Sequence, residues 1–510
     1  MGRRYARLTS FQWARSLTEK NRTERRVGYQ PAPLRWTARR PVPSPDMPST
    51  QRSVPGRPSR RRSNGSANFR AASPGGLRPV FVFDADVPPG VAFIRSLARA
   101  GVPVVVGVSR RSSVGRFSRY ATDLVSCPPP SDTDAFVAWL RDRFSAGSIG
   151  LVAPTSDELS FCVSEALERL DYTSAAAGHP DAAAVRTSLF KDRFGAAMER
   201  VGFPTPKWAV PSSRGEALAA AERIGYPVVV KPRTHVGVGN TRGAVVRSPD
   251  ELASAFRPFR LRDGSITVVN QDPHVALPIV QRYHELGTAD VISLTGCLDT
   301  DGSVLALAHC RKVSQSPRRL GVGTMFEPVA EPSFARAALA AIRGVLGSGL
   351  FELEVLVDRA TGEYWALDLN PRGFGQISLD IALGNDLPRL WYGSVTGAPV
   401  PTTAPASPRP QFWHEATSSY VGSAVRLARG PRRVETVKHA FRRMTTPSVN
   451  AMFDRRDPLP GVLFGLRRLR HLRSFVRPFL VDVELAAANP MVAAPTIAPV
   501  SNAACGDPPH

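Results

Sequence analysis

From Pro79 onward, apolar and polar positions alternate between strand and helix periods, and this pattern predicts an α/β fold. RPVFVFDAD has the pattern of a short buried strand that ends in acidic residues. VPPGVAFIRSLARAG has helical spacing closed by Gly101, and VPVVVGVS is a second strand. A strand, a helix and a strand at this spacing form a βαβ unit, so a parallel sheet follows.

The same alternation continues to residue 175 and predicts a Rossmann-like domain over 79–175. DTDAFVAWLRDRF has a helical pattern, and IGLVAPTSDE is a strand that runs into a helix. Thr155 and Glu158 fit a capping box at that helix start. An alternative interpretation takes Asp157 and Glu158 as catalytic carboxylates; we favour helix capping. The domain lacks a GxGxxG turn, so we predict no dinucleotide site.

A second block, residues 176–400, combines helices with antiparallel strands, and its lid spans about 205–278. YPVVVKPRTHVGVGNTRGAVV predicts a hairpin with a Gly-rich tip. Ser248 caps the helix that follows, with Pro249 at its first position. LPIVQRYHELG, ADVISLTGCLD and SVLALAHCRKV predict strands, and FELEVLVD pairs with GEYWALDLN across a turn at residues 360–362.

Charge is distributed unevenly along the 510 residues, whose formal net charge is +23. Residues 1–78 hold 18 Lys and Arg against 3 Asp and Glu, and residues 401–510 hold 15 against 7, so the middle is neutral. A basic chain usually indicates binding to nucleic acid, but the neutral middle of this chain excludes nucleic-acid binding as its main function. The five cysteines contain no CxxC pair, so neither a zinc site nor a disulfide framework is predicted.

The two flanks lie outside the predicted fold. Residues 1–78 are rich in Arg, Ser and Pro without apolar periodicity, which predicts disorder. Their composition also resembles a transit peptide, while Met47 offers a second translation start; we favour a dispensable tail. Residues 401–484 form a basic, partly helical extension, and residues 485–510 form a disordered tail.

Within the C-terminal extension, GVLFGLRRLRHLRSFVRPF carries apolar residues at helical spacing with arginines between them. We favour packing of this stripe on its own domain; an anionic membrane surface, contacted through 459–480, and a partner protein are the alternatives. No apolar stretch of about 20 residues exists, so no spanning helix is predicted. The stripe consists of Val462, Leu466, Leu469, Leu472, Val476 and Phe479.

Two lysines are the first candidate chemistry. Lys191 opens a helix, and Lys231 ends an apolar strand that leads into the Gly-rich loop with Gly237 and Gly239. Glycines let backbone N–H groups approach phosphates closely, and a lysine supplies a point charge to them. The loop does not have the Walker or Rossmann spacing, so the lysines and glycines alone indicate phosphate binding only weakly.

The FELEV and ALDLNPR segments are the stronger signal. Strand alternation puts Glu354 on the polar face of its strand. On the partner strand, Asp368 and Asn370 are two residues apart and therefore share a face. The hairpin would bring Glu354 near Asp368. Two carboxylates and an amide oxygen form a hard site suited to Mg²⁺ held with substrate phosphates, and Arg372 beside it can neutralise a phosphoryl group.

A basic segment follows the strand SVLALAHC. Arg311 and Lys312 begin it, and Gln315, Arg318 and Arg319 continue it. Next to a metal and nucleotide site, this segment indicates binding of a carboxylate or an acyl phosphate; a solvated basic face is the alternative.

In their order along the chain, these residues resemble the ATP-grasp superfamily, from about Pro79 to Gly393. The resemblance rests on the helix with Lys191, the lid strand VVVKP, the hinge IVQRYHELG, and FELEV with GEYWALDLNPRGFG. It is strongest for the carboxylate–amine ligase branch, which includes D-aspartate-ligase-like enzymes and carbamoyl-phosphate-synthase-like domains. The fold it implies is a Rossmann-like domain followed by a two-subdomain ATP-grasp domain, with basic flanking extensions.

The resemblance implies how ATP is held. Lys191 and Lys231 would bind its phosphates beneath a lid that contains Gly237 and Gly239. The hinge would meet the adenine, partly through its backbone, and one acidic residue would meet the ribose. These residues are Gln281, Tyr283 and His284 in the hinge, where Gln281 replaces a common Glu, and Asp290 for the ribose.

The resemblance also implies metal ligands and catalytic residues. Glu354, Asp368 and Asn370 would bind Mg²⁺, with Mn²⁺ as an alternative, and Asp368 replaces the commoner Glu. Arg372 and Arg311 would stabilise the acyl phosphate.

The implied function is an ATP-dependent ligase that joins a small-molecule carboxylate to an amine through an acyl phosphate. A non-catalytic ATP-binding regulator, a carboxylase-like enzyme that forms carboxyphosphate, and an adaptor built on the basic flanks are the alternatives. We expect a cytoplasmic protein with no nucleic acid bound through its core, and membrane association only through 459–480.

Overall fold

The computed structural model describes residues 77–239, 243–285, 287–317, 320–399, 405–429, 445–470, 475–477 and 479. The predicted N-terminal extension, apart from its last two residues, lies outside this part of the chain, as do residues 485–510. Among the residues described, no helix is both long enough and apolar enough to cross a membrane.

The first sheet is parallel, as the βαβ pattern predicts. Val80 pairs with Val104 on one side and with Leu151 on the other. The strand order is β3-β2-β1-β4, and the apolar strands lie between buried helices on both faces. Its elements are β1 (Val80–Val82), α1 (Pro88–Arg99), β2 (Val104–Val108), β3 (Asp123–Ser126), α2 (Thr133–Ser145), β4 (Leu151–Val152) and α3 (Asp157–Glu168).

One capping prediction is wrong in detail. The side chain that accepts from the backbone at the start of α3 is that of Ser156, which bonds the Leu159 amide at 3.1 Å. The Thr155 hydroxyl instead donates to the Phe83 carbonyl at 2.9 Å. Asp157 and Glu158 therefore lie in the first helical turn, where their charges suit the positive end of the helix dipole.

The second sheet has the order β5-β8-β6-β7; it is called the lid sheet here because its first three strands along the chain lie in the segment predicted to form the lid. Val228 and Val230 face α6 and α7 in one apolar cluster. Because side chains alternate along a strand, Val229 and Lys231 lie on the other face. Ser248 caps α7, as predicted. The elements from here are α4 (Ala182–Leu189), α5 (Lys191–Arg200), β5 (Trp208–Ala209), α6 (Arg214–Ile224), β6 (Val228–Pro232), β7 (Ala244–Val246), α7 (Pro249–Ala255), α8 (Ile266–Gln271) and β8 (Pro278–Arg282).

The third sheet has seven strands in the order β13-β12-β9-β10-β11-β14-β15. Its apolar face packs on α5 and α9 around Phe351 and Leu353. The elements are β9 (Ala289–Leu298), β10 (Val304–Ser316), β11 (Val322–Pro328), α9 (Ala335–Leu346), β12 (Gly349–Asp358), β13 (Tyr364–Asn370), α10 (Ile377–Leu383), α11 (Leu387–Thr396), β14 (Phe412–His414), α12 (Ala416–Arg429), β15 (Ser448–Asn450) and α13 (Pro458–Arg470).

The C-terminal segment is more than an extension past the fold. Its strand β14 pairs with β11 through Phe326 and Trp413, and β15 continues the sheet. Asp457 anchors the following chain to α1: its carboxylate accepts from Arg95 Nε at 3.0 Å, from Ser118 Oγ at 2.8 Å and from the Arg119 amide at 2.9 Å. The basic C-terminal region thus adds two strands to the seven-stranded sheet, here called the central sheet, and bonds to the first domain through Asp457.

Helix α13 exposes much of the apolar stripe that the sequence predicts to be packed. Val462, Leu466 and Leu469 are 45%, 50% and 49% exposed, so packing is wrong for these three residues. Phe464 is buried instead, and Phe479 is buried with its ring over Gly422. Leu472 lies outside the described residues, and membrane contact stays a prediction.

Candidate active site

The hairpin of β12 and β13 has the register that strand alternation predicts. Glu354 lies opposite Asp368, and Glu352 lies opposite Asn370. Directly opposed residues share a face of the sheet, so these four side chains form one surface, here called the carboxylate face. Leu353 and Leu369 occupy the opposite, buried face. The apolar side of the hairpin thus holds the polar side in place.

Lys191 reaches the carboxylate face from the first turn of α5. Its Nζ lies 3.1 and 3.0 Å from the two carboxylate oxygens of Asp368. The Lys191 amide donates to the Arg233 carbonyl at 2.8 Å, which ties α5 to the end of β6. Burial would raise the pKa of Asp368, but the ammonium groups of Lys191 and Lys231 outweigh it and lower that pKa.

Lys231 brings a second ammonium group from the lid sheet. Burial, and next the charge of Lys191, lower its pKa to about 7, while Asp368 and Glu354 oppose the shift. Lys231 is therefore close enough to the same carboxylates for their charges to act on it. Of the two predicted lysines, Lys191 contacts the acids of the hairpin directly, and Lys231 acts on them through its charge.

Lys312 is a third lysine in the site; the sequence places it in the basic segment predicted to bind a carboxylate or an acyl phosphate, but the predicted catalytic residues include Arg311 in its stead. Its Nζ lies 2.6 Å from Glu354 Oε1. Burial would lower the pKa of Lys312, but the Glu354 carboxylate outweighs it and raises that pKa. Each of the two predicted metal-binding carboxylates is thus neutralised by one lysine.

Glu352 is a further carboxylate that the predicted ligand set left out. It is 4% exposed and accepts from Ser293 Oγ at 3.0 Å, from Asn370 Nδ2 at 3.0 Å and from Gln376 Nε2 at 2.5 Å. Burial, followed by the charge of Glu354, raises its pKa. Its position two residues before Glu354 was the available signal, because strand alternation puts both on one face.

Arg372 links the carboxylate face to the first domain. Its Nη2 donates to Asn370 Oδ1 at 3.0 Å, and its Nε donates to Asp157 Oδ1 at 2.5 Å. Asp157 therefore does more than sit in a helix turn, since it orients the guanidinium beside the predicted metal ligands. Glu158, one residue on, pairs with Arg262 at 3.3 Å, and burial raises the pKa of Glu158 to about 7.

Two predicted residues lie on the wrong face of the sheet. Arg311 is opposite Ile292 in the register, and Ile292 is opposite Val355, so Arg311 points away from the carboxylate face. It pairs instead with Glu327 and, at 3.7 Å, with Asp290. The prediction that Arg311 lies beside the metal-binding carboxylates is therefore wrong, and the neighbouring Lys312 contacts Glu354 instead.

Asp290 shares the face of Arg311. It lies opposite Val357 and pairs with Arg311 and, at 3.9 Å, with Arg359. The structure therefore does not bring Asp290 to the carboxylate face, and these arginines already neutralise its charge. Arg318 and Arg319, which continue the predicted basic segment, lie outside the described residues.

The hinge residues lie along the lid sheet. Gln281 is opposite Val229, so it shares the face of Lys231 and is buried there. Tyr283 follows the strand and is also buried, with its amide bonded to the Pro227 carbonyl. The His284 ring stacks on Trp365 at 4.2 Å between centroids. The hinge thus extends from the face of the lid sheet that carries Lys231 to β13, an edge strand of the seven-stranded sheet.

The two lid glycines both adopt conformations that favour glycine. Gly237 has φ +72° and Gly239 has φ +78°. The Gly237 carbonyl accepts from the Arg262 amide at 2.8 Å, which seats the loop against the segment before α8. His235, two residues before Gly237, bonds the Gly239 carbonyl through Nδ1 at 3.2 Å. Residues 240–242 of the loop lie outside the described part of the chain.

The donor set is chemically suited to a hard cation. Carboxylates and an amide oxygen are the ligands that Mg²⁺ takes together with phosphate oxygens. Within the described ranges, no three His, Cys, Asp or Glu side chains are grouped closely enough to hold a metal ion by themselves. Glu354 and Asp368 are paired with lysines, so the protein alone supplies only part of a coordination shell.

Comparison with known proteins matches the segment that carries the lysines. The family "Carbamoyl-phosphate synthase L chain, ATP binding domain" matches residues 191–265. The carbamoyl phosphate synthase large chain of Methanothermobacter thermautotrophicus is 27% identical over 194 residues, 37% of this chain and 17% of that protein. The N-terminal section of the Methanopyrus kandleri large chain is 28% identical over 188 residues, 36% of this chain and 31% of that protein.

The chain therefore spans less than a third of the length of these curated relatives. Among solved structures, biotin carboxylase from Campylobacter jejuni in complex with beta-gamma-ATP superposes with a TM-score of 0.50 at 15% identity. That match covers 64% of this chain and 73% of the other. This chain has a parallel sheet, then a lysine-bearing lid sheet, then a central sheet with a carboxylate hairpin, and with these matches that order identifies an ATP-grasp fold.

Proposed function

We propose that this protein is an ATP-dependent ligase that joins a carboxylate to an amine and releases ADP and phosphate. The observation that carries the proposal is the contact of Lys191 with Asp368, beside Glu354, where the charge of Lys231 also acts on both carboxylates. Lysines suit the phosphates of ATP, and paired carboxylates suit the cation that accompanies them.

In the first step, an oxygen of the substrate carboxylate attacks the γ-phosphorus of ATP. The bond from that phosphorus to the bridging oxygen breaks, ADP leaves with the electron pair, and an acyl phosphate forms. Lys191 and Lys231 would hold the phosphates in line for this transfer, and Arg372 would balance charge on the moving phosphoryl group. Glu354, Asp368 and Asn370, joined by Glu352, would hold Mg²⁺, which neutralises phosphate charge when bound.

In the second step, the nitrogen of the amine attacks the acyl carbon. The C–O bond to phosphate breaks, and phosphate leaves with that electron pair. Of the two protons that an ammonium substrate loses, one ends on phosphate and one passes to solvent. The chain needs no covalent nucleophile for either step, because position and charge supply the catalysis. The Gly237 loop would exclude water, which would otherwise hydrolyse the acyl phosphate.

The test is phosphate release from ATP and Mg²⁺ over a library of carboxylates crossed with amines. We expect release that needs both a carboxylate and an amine. Lys231→Ala and Asp368→Ala should each abolish it. The matched controls are Lys207→Ala and Asp142→Ala, which change exposed residues away from the site; both should keep full turnover.

Three outcomes would contradict parts of the proposal. Turnover retained in Lys231→Ala or Asp368→Ala would remove the assigned role of that residue. Nucleotide binding without phosphate release across the whole library would favour the ATP-binding regulator. Release that needs bicarbonate alone would favour a carboxylase-like enzyme.

A further inference from the structure

A cavity of about 800 Å³ opens at the carboxyl ends of the parallel strands β1, β2 and β3. Asp84 and Asp86 follow β1, and Arg110 follows β2. Phe464 and Arg467 of α13 form the opposite wall. In open parallel sheets, ligands bind in the crevice outside the carboxyl ends of the strands. This space, here called the β1–β3 cavity, is separate from the residues assigned to ATP.

Around Asp86, the lining of the cavity carries more positive than negative charge. The Asp86 carboxylate faces two guanidinium groups, with Arg110 Nη2 at 2.6 Å and Arg467 Nη1 at 3.0 Å from Oδ2. The other Asp86 oxygen accepts from the Val114 amide. One carboxylate against two arginines leaves a net charge of about +1, and both arginine side chains remain partly exposed.

Asp84, two residues before Asp86, is a second carboxylate that lines the cavity, and the charges of Arg110 and Arg262 act on it from beyond ion-pairing distance. Asp84 accepts from Ser156 Oγ at 2.5 Å, and in the described part of the chain no Lys or Arg lies within ion-pairing distance of it. Its backbone has φ +50°, a conformation uncommon outside glycine. Burial raises the pKa of Asp84, which means that its negative charge would gain from a cationic partner.

Asp84 is linked to the carboxylate face through a short series of residues. Ser156, which donates to Asp84, precedes Asp157 in the chain. Asp157 accepts from Arg372, and Arg372 donates to Asn370. A group bound on Asp84 would therefore be connected, through Ser156, Asp157 and Arg372, to the site of the predicted phosphoryl transfer.

The far wall is aromatic and comes from the C-terminal segment. Arg468 lies over the rings of Phe464 and Phe475, 4.8 and 5.1 Å from their centroids. Glu415 lies 3.7 Å from the same guanidinium and offsets its charge. This wall adds apolar surface to the charged lining, and the cavity has room for a side chain.

On the basis of the proposed ligase function, we propose that the β1–β3 cavity binds the amine substrate as a zwitterionic amino acid. Its ammonium group would lie on Asp84, and its carboxylate would lie at Arg110 and Arg467. The opposite orientation would put each charge beside its like. Helix α13 is thereby a specificity element of the ligase.

Binding without ATP tests the cavity separately from turnover. The probes are the twenty common amino acids, each as the free form, the N-acetyl form and the carboxamide, and the readout is the melting midpoint of the full chain. We expect at least one free amino acid to raise the midpoint, and its two blocked forms to have no effect. If no free amino acid does so, or if the N-acetyl form binds equally well, the proposal is wrong.

Variants assign the binding to the cavity. Asp84→Asn and Arg110→Gln should each weaken the affinity for that amino acid about tenfold or more, because each removes one charge-assisted contact. The control is Arg470→Gln, at an exposed position of α13, the helix that also supplies Arg467; it should leave the affinity for that amino acid unchanged. Arg110 is half exposed, so its replacement preserves folding. Equal affinity in both cavity variants would overturn the assignment.

Phosphate release then separates this proposal from the ligase itself. If the enzyme releases phosphate with amines but Asp84→Asn and Arg110→Gln keep the wild-type KM for the amine, the cavity proposal fails and the ligase stands. If an amino acid binds in the cavity but no phosphate is ever released, the ligase proposal fails, and the amine-substrate assignment fails with it.

Discussion

Replacing Asp457 with asparagine should destabilise the fold far more than the same change at its neighbour Asp454. The two acids pair with successive turns of α1, Asp457 with Arg95 at 3.0 Å and Asp454 with Arg99 at 2.5 Å. Asp457 and Arg95 are 2% and 7% exposed. The side chains of the other pair are about a quarter to a third exposed, so the two substitutions differ mainly in burial.

The magnitude follows from what each change leaves behind. Asp457→Asn leaves the Arg95 guanidinium buried without a countercharge, and it weakens the bond from Ser118; breaking a buried pair in this way costs about 3–5 kcal/mol. Asp454→Asn removes a partly exposed pair that solvent screens, which costs about 0–1 kcal/mol. Replacing both members, as Arg95→Met with Asp457→Leu, removes the stranded charge and should recover most of the loss.

Equilibrium urea unfolding, followed by circular dichroism, measures these differences in the free energy of unfolding. We expect the free energy of unfolding to decrease in the order wild type, Asp454→Asn, the double variant, Asp457→Asn. If Asp457→Asn costs no more than Asp454→Asn, then α13 is not anchored through this carboxylate. The same result would remove the structural basis for a rigid far wall of the β1–β3 cavity.

Catalysis, pH dependence and membrane contact each have a direct test. Arg372→Lys should lower kcat for phosphate release about 10²–10³-fold with little change in the KM for ATP; an unchanged kcat would exclude its catalytic role. Burial raises the pKa of Asp380 from 3.8 to about 7, so the folded protein keeps a proton that the unfolded chain loses. Stability should therefore fall as pH rises from about 4 to 7, and Asp380→Asn should flatten that fall in melting midpoints; an equal slope in the variant would contradict it. The Leu466→Asp, Leu469→Asp double variant should abolish co-sedimentation with anionic vesicles, and no binding by the wild type would exclude membrane contact.

The carboxylate hairpin could be predicted because its information is local. A period of two along FELEV and ALDLN, with a short turn between them, is enough to set Glu354 opposite Asp368. Lys191 and Lys231 were found from the elements that they begin and end. Their meeting depends on contacts between residues far apart in the chain, so it could be tested only in the structure.

Residues next to each other on a strand could not be separated in the same way. Arg311 and Lys312 are neighbours, and only the register of β10 against β9 decides which one faces Glu354. At the start of α3, Thr155 and Ser156 are both capping residues, and the path of the backbone selects Ser156. The three-residue strand β14 has too little pattern to be predicted, because its pairing with β11 is entirely non-local.

The two lysine–carboxylate pairs of the active site have a consequence for the order of ligand binding. Lys191 with Asp368 and Lys312 with Glu354 form two pairs in which each positive charge is balanced by one negative charge. A divalent cation that binds alone must displace the lysine ammonium groups from the carboxylates. A triphosphate that binds alone draws the ammonium groups to its phosphates and leaves the carboxylates without a countercharge. Only joint arrival lets every partner be exchanged without an uncompensated charge, so nucleotide and cation should each strengthen the affinity for the other, and by the same factor.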